Sequence, residues 1–208
     1  MGRPRAFDED VALDAAVSRF WSHGYAGTTV RDLEAAMGLG SASFYNAFGD
    51  KQALFARCLQ RYLDGTMRAR MADCEDRAPL DAISDFLFGI VERSLEDRRG
   101  CLLVNTAIEL APHEAAFAGT VAQWLRELEA FFARCIRRGQ ADGSIGPQRD
   151  ADDLARLLVS TVLGLRVMAR GSPDRALLEG VARQALSLLP PGAQDTCNPR
   201  SRSNGDTP

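Results

Sequence analysis

Three groupings of residues in this chain have the types and the spacing to do chemistry. The stretch Ser41 to Phe48 sets Phe44 and Phe48 four apart, on one face of a two-turn helix, and turns Ser41, Ser43, Asn46 and Ala47 to other faces. A helix that enters a DNA major groove, about 12 Å wide, needs such a surface: small side chains allow close approach and hydrogen-bonding ones read base edges. The same pattern also suits a plain short surface helix. The second grouping is Cys101 behind Arg98 and Arg99. At a helix start, neighbouring cations and the macrodipole favour the thiolate, the reactive form of a redox or electrophile sensor; the alternative is an inert small hydrophobe at a helix junction. The third is the polar track Cys101, Asn105 and Glu109, spaced by four along an otherwise apolar helix. Buried polar groups need partners, so the track faces solvent, pairs with a residue such as Arg166, or lines a ligand cavity walled by Phe86, Phe117 and Trp124, each of which also reads as core.

Other chemistries lack their residues. The chain has no nucleophile elbow, no glycine-rich phosphate loop and no paired catalytic carboxylates, which argues against an enzyme and against a cofactor. His113, Glu114 and Cys101 match no metal-ligand spacing, so no metal site is expected. The five cysteines are widely spaced and include no CxxC pair, which points to reduced thiols rather than a disulfide framework. Met1 to Arg5 followed by the acidic Asp8 to Asp10 lacks the apolar core of a signal peptide, and no apolar run nears the roughly 18 residues of a membrane span. A cytoplasmic protein with no membrane partner is expected. The net charge of -3 gives no bulk attraction to nucleic acid, so DNA binding requires a local surface.

The elements that must position these residues are helices throughout. Apolar residues recur at three and four along nearly the whole chain, and no period-two stretch bounded by hairpin turns is present, so the fold class is all-α with about nine helices. Asp8 caps a first helix carrying Val11, Leu13, Ala16, Val17, Phe20 and Trp21 inward, and Gly24 ends it. Thr29 with Asp32 forms a capping box for a second helix closed by Gly38; Ser41 to Phe48 follows, stopped by Gly49. Asp50 caps a long fourth helix ending near Met71 to Asp73, suited to connect two halves. Five more helices are expected at about 80–96, 101–110, 114–140, 150–169 and 174–188, and the polar, proline-containing residues 190–208 read as a disordered tail.

Residues 29–48 have the arithmetic of a helix-turn-helix. Phe20-Trp21, Gly24-Tyr25, Thr28-Thr29, the Gly38-Leu39-Gly40 turn, Tyr45-Asn46-Ala47-Phe48 and Lys51 together resemble the DNA-binding domain of the TetR family of transcriptional repressors over about residues 7–55. The resemblance implies a DNA-binding domain at 1–51 with 1–7 as a flexible arm, and a ligand-binding and dimerisation domain at 52–189. It implies that Thr29, Tyr45 and Lys51 contact phosphates and that Ser41, Ala42, Ser43 and Asn46 face the bases. The partners it implies are a double-stranded DNA operator, a second copy in a homodimer, and a small-molecule effector, whose site would draw on Phe86, Cys101, Asn105, Glu109, Phe117, Trp124 and Arg166. Two features depart from the family pattern. Gly40 and Ser41 stand where Ser and a basic residue are common, and residues 1–51 hold five basic against seven acidic residues, leaving few cations for counterion release. Arg3 and Arg5 could act as a minor-groove arm. The apolar stripes of the last two helices, with Gly164 and Ala185, fit a two-fold interface.

Overall fold

The structure is a computed structural model that describes residues 7–189; the expected arm, apart from Phe7, and the expected tail lie outside the described residues. Among the described residues there are nine helices and no strand, when the fourth is counted through its internal π-helical turn. They are α1 (Glu9–His23), α2 (Val30–Met37), α3 (Ser41–Phe48), α4 (Lys51–Leu63, continuing through Asp64–Arg68 into Ala69–Glu75), α5 (Pro79–Glu96), α6 (Leu102–Glu109), α7 (Ala115–Asp142), α8 (Ala151–Gly171) and α9 (Arg175–Ser187).

Each boundary has a local cause. The side chains of Asp8, Asp50, Asp150 and Asp174 accept hydrogen bonds from first-turn amides of α1, α4, α8 and α9. Pro79 opens α5 at a position where its missing N–H costs nothing. Gly38 ends α2 in the left-handed region at φ +66°, where its N–H meets the carbonyls of Ala35 and Glu34. The π-helical turn Asp64–Arg68 inside α4 is absent from the sequence expectation, because one extra residue in a turn leaves no mark on a three-and-four pattern.

The packing makes α4 the shared beam of the molecule. Its first half lies against α1, where Phe55 meets Phe20 edge to face at 4.8 Å between ring centres, and Arg61 bridges Asp10 at 2.7 Å and Asp14 at 2.6 Å. Phe55 also reaches Phe117 of α7 at 5.3 Å. One helix therefore serves both halves, and the first core runs continuously into the second. Beyond it α5, α7, α8 and α9 pack on one another, with Phe86, Phe131 and Phe132 as a central aromatic triad. Val11, expected inward, is 64% exposed: the buried face of α1 is Ala12, Leu13, Ala16 and Phe20, about a turn's fraction away.

Candidate nucleic-acid interface and its junction

The α2–α3 pair is held by a few specific contacts. Thr29 and Asp32 close a reciprocal capping box: the Thr29 amide and hydroxyl donate to Asp32 Oδ2 at 2.9 and 2.7 Å, and the Asp32 amide donates to Thr29 Oγ1 at 3.2 Å. Those bonds to the charged form hold the Asp32 carboxyl below its usual range, with Arg19 adding to the effect. Both Thr29 groups expected to meet a phosphate are thus already engaged within the chain. Leu33 and Met37 of α2 and Phe44 and Phe48 of α3 are buried, and Phe7 lies 6.2 Å from Phe48.

That anchoring turns one face of α3 outward. Ser41, Ala42, Ser43, Tyr45 and Asn46 are all exposed, and the helix carries no charged side chain. Of the other residues expected to meet DNA, Thr29 is the N-cap of α2 and Lys51 opens α4. The Ser41 hydroxyl donates to the Glu34 carboxylate, a partner not anticipated from the sequence.

Lys51 leads to a junction that sequence reasoning missed. Its Nζ stands 4.1 Å from the centre of the Tyr25 ring, a cation–π contact. Burial lowers the Lys51 pKa, and the Glu109 charge opposes that shift. Glu109, at the end of α6, accepts the backbone N–H of Ala26 at 2.7 Å and of Tyr25 at 3.3 Å. A second clasp lies along α1: the Trp21 indole N–H donates to the Gly100 carbonyl at 3.3 Å, and the Arg99 guanidinium covers the Trp21 ring at 3.9 Å. The polar character of Glu109 was legible, but its partner is a backbone turn 83 residues away, which no side-chain pattern encodes.

The polar residues expected as a track on α6 have separate surroundings. Cys101 is buried at the N-cap, beside the buried Tyr62. Arg99, expected to favour its thiolate, is committed to Asp97 and to the Trp21 ring. Asn105 accepts from Arg170, and Glu109 reaches the α1–α2 turn. Among the described residues, none of the three is hydrogen-bonded to Arg166. Arg166 is buried beside Ser94, Phe86 belongs to the aromatic triad, Phe117 packs on Phe55, and Trp124 is enclosed. A surface groove of about 670 Å³ runs instead between α1 and α4, lined by Leu13, Asp14, Arg57, Gln60, Arg61 and residues 64 and 65.

Two family models match the chain: residues 12–58 match the one described as bacterial regulatory proteins, tetR family, and residues 77–185 the one described as tetracyclin repressor-like, C-terminal domain. The chain belongs to the TetR family. It is 32% identical over 193 residues to the HTH-type transcriptional repressor ComR of Escherichia coli (strain K12), covering 91% of this chain and 92% of the relative. The HTH-type transcriptional repressor DhaR of Mycobacterium sp. (strain GP1) is 27% identical, over 86% of this chain and 90% of its own. Among solved structures, a cysteine mutant of the TetR family transcriptional regulator CifR complexed with a 26-base-pair operator DNA superposes with a TM-score of 0.81 at 33% identity, covering 91% of this chain and 100% of the other. Like other members of the TetR family, the protein is a DNA-binding transcriptional regulator and not an enzyme. No helix among its described residues is long and apolar enough to cross a membrane.

Proposed function

We propose that the protein is a homodimeric, cytoplasmic repressor that a small-molecule effector releases from its operator. The observation that carries this is the pairing of an exposed, uncharged α3 face with a single helix, α4, that belongs to both halves. In this reading Ser41, Ala42, Ser43 and Asn46 meet base edges, with Asn46 able to bond adenine in a bidentate way and Ala42 limited to a thymine methyl. Tyr45, Lys51 and the start of α2 at Thr29 set the register on phosphates. An effector among α4 to α8, drawing on the neighbourhood of Phe86, Cys101, Asn105, Phe117, Trp124 and Arg166, shifts the population of α4 orientations. Glu109 and Lys51 pass that shift to the α1–α2 turn, and the spacing of two recognition helices no longer fits half-sites about one helical turn apart.

The test is binding of the purified protein to DNA from upstream of its own gene and to random DNA of equal length, across a salt series. A preference of about a thousandfold or more with dimer stoichiometry supports specific operator binding. Equal affinity for both, at every salt concentration and after selection from random DNA, overturns it. A thiol sensor at Cys101 is the alternative reading; its burial beside Tyr62 argues for slow labelling by a thiol reagent in the native protein, and rapid labelling that abolishes operator binding would favour the sensor.

A further inference from the structure

Arg166 of α8 holds a charge inside the protein with no carboxylate paired to it among the described residues. It is 3% exposed. Its Nη1 donates to Ser94 Oγ at 3.2 Å, while Nε and Nη2 are buried with no hydrogen-bond partner. Those two nitrogens form one edge of the guanidinium, with two parallel N–H donors spaced to match the two oxygens of a carboxylate. A guanidinium does not shed its proton, so burial cannot be relieved by neutralisation as it can for lysine. Among the described residues, no side chain supplies the missing acceptor.

The surroundings share that deficit. Asp97, the carboxylate that feels the Arg166 charge, is occupied by Arg99 at 2.6 Å. The other groups facing this region are the Ser94 hydroxyl, the buried Tyr62 hydroxyl beside Cys101, and the half-buried guanidiniums of Arg70 and Arg93, whose mutual repulsion with Arg166 adds to burial in lowering the Arg70 pKa. The second orphaned donor of the C-terminal helices is the Trp124 indole N–H, again a donor and not an acceptor. Phe86, Ile90 and Ser94 follow one another by four on the buried face of α5, and Val162 precedes Arg166 by four on α8. Phe86, Ile90 and Val162 thus lie on the packed α5–α8 seam that also carries Arg166.

We propose that Arg166 is the anchor of a carboxylate-binding site: a small organic carboxylate binds in bidentate fashion on its Nε–Nη2 edge, and the rest of the molecule lies along the α5–α8 seam. Tyr62, on the helix that carries the DNA-binding half, is the neighbour through which the bound anion acts. The site rests on the effector reading for its biological meaning but not for its existence.

The experiment uses the full chain, dialysed free of carboxylate buffers, with acetate, hexanoate and benzoate and the matching neutral amides as probes. Melting temperature and calorimetric titration report binding, and operator affinity is measured separately. At least one carboxylate is expected to raise the melting temperature with concentration while its amide does not. Arg166→Met is expected to weaken that carboxylate at least a hundredfold, and Arg166→Lys, which keeps the charge but loses the fork, at least tenfold. Without ligand, Arg166→Met is expected to melt no lower than the unliganded parent, because it removes an unpaired buried charge; should it fail to fold, Arg166→Lys reads the same contrast. No shift with any carboxylate, or equal binding to parent and variants, overturns the site. A carboxylate that binds through Arg166 and leaves operator affinity unchanged upholds the site and overturns the effector reading instead. Release of the operator by a neutral molecule, where no carboxylate binds the parent, overturns the site and upholds that reading.

Discussion

At the level of single residues, the exposed face of α3 separates base reading from positioning. Asn46 is the one exposed side chain of α3 with both a donor and an acceptor fixed in a plane, so Asn46→Ala is expected to cost about 1–3 kcal/mol at one base pair and to relax the preference there. Tyr45→Phe and Lys51→Ala are expected to weaken binding to all sequences alike, with Lys51→Ala lowering the salt slope by about one. Binding to a library of single-base operator variants separates the two patterns, and an unchanged preference for Asn46→Ala would remove it from the bases. Asp32 gives a pH prediction. Its carboxyl is held below the ordinary value of 3.8 by the Thr29 amide and hydroxyl, and by Arg19. A depressed folded-state pKa stabilises above the unfolded value and is lost as pH falls through the folded one, so this contribution fades in acid below about pH 4. Urea unfolding at pH 3 and pH 6 is expected to show a smaller difference for Asp32→Asn than for the parent.

At the level of elements, the turn between α1 and α2 is where the two halves meet, and two substitutions test it from opposite sides. A Cβ on Gly27 would stand 2.4 Å from the His23 carbonyl oxygen, a backbone atom that cannot swing away. Gly27→Ala is expected to destabilise by about 1–3 kcal/mol, read by thermal unfolding. Glu109→Ala leaves the Tyr25 and Ala26 amides without their acceptor, and native-state hydrogen exchange is expected to quicken at those two amides with little change in the core of α7. Unchanged protection at both would mean that Glu109 does not hold the turn. The first four helices were legible because Asp8, Thr29 and Asp50 cap where the sequence places them and Gly24, Gly38 and Gly49 close α1, α2 and α3. The outward face of α3 was legible for the same reason, since Phe44 and Phe48 fix the opposite side. What was not legible depends on tertiary approach: the register of α1 that exposes Val11, the π-helical turn in α4, and the reach of Glu109 to a distant backbone. A side-chain pattern names a polar residue but not the backbone that satisfies it.

For the whole molecule, the surface expected to join two copies is the apolar stripe left exposed on the last two helices. Leu157 of α8 and Leu177 of α9 are 40% and 43% exposed, and a Cβ on Gly164 or Gly180 would meet nothing within 4 Å. On α8, Leu157, Thr161, Gly164 and Met168 follow at four, three and four; on α9, Leu177 and Val181 follow at four, with Leu188 seven further on, just past the helix end. Ala185, expected to permit close approach between copies, is instead buried within the protomer, so the close approach falls to the two glycines. Helix pair against helix pair across a two-fold axis buries these stripes without disturbing the interior residues Leu154, Leu158, Val162 and Leu178. Leu157→Arg with Leu177→Arg places two like charges per protomer at that axis while leaving each protomer's core intact. Sedimentation equilibrium is expected to show the parent as a dimer and the double variant as a monomer with an unchanged helical circular dichroism spectrum. Operator affinity is expected to fall at least a hundredfold, since a lone recognition helix keeps one half-site and loses the gain from the second, whereas affinity for random DNA changes little. A double variant that stays dimeric would move the interface away from α8 and α9, and with it the axis about which the two recognition helices are spaced.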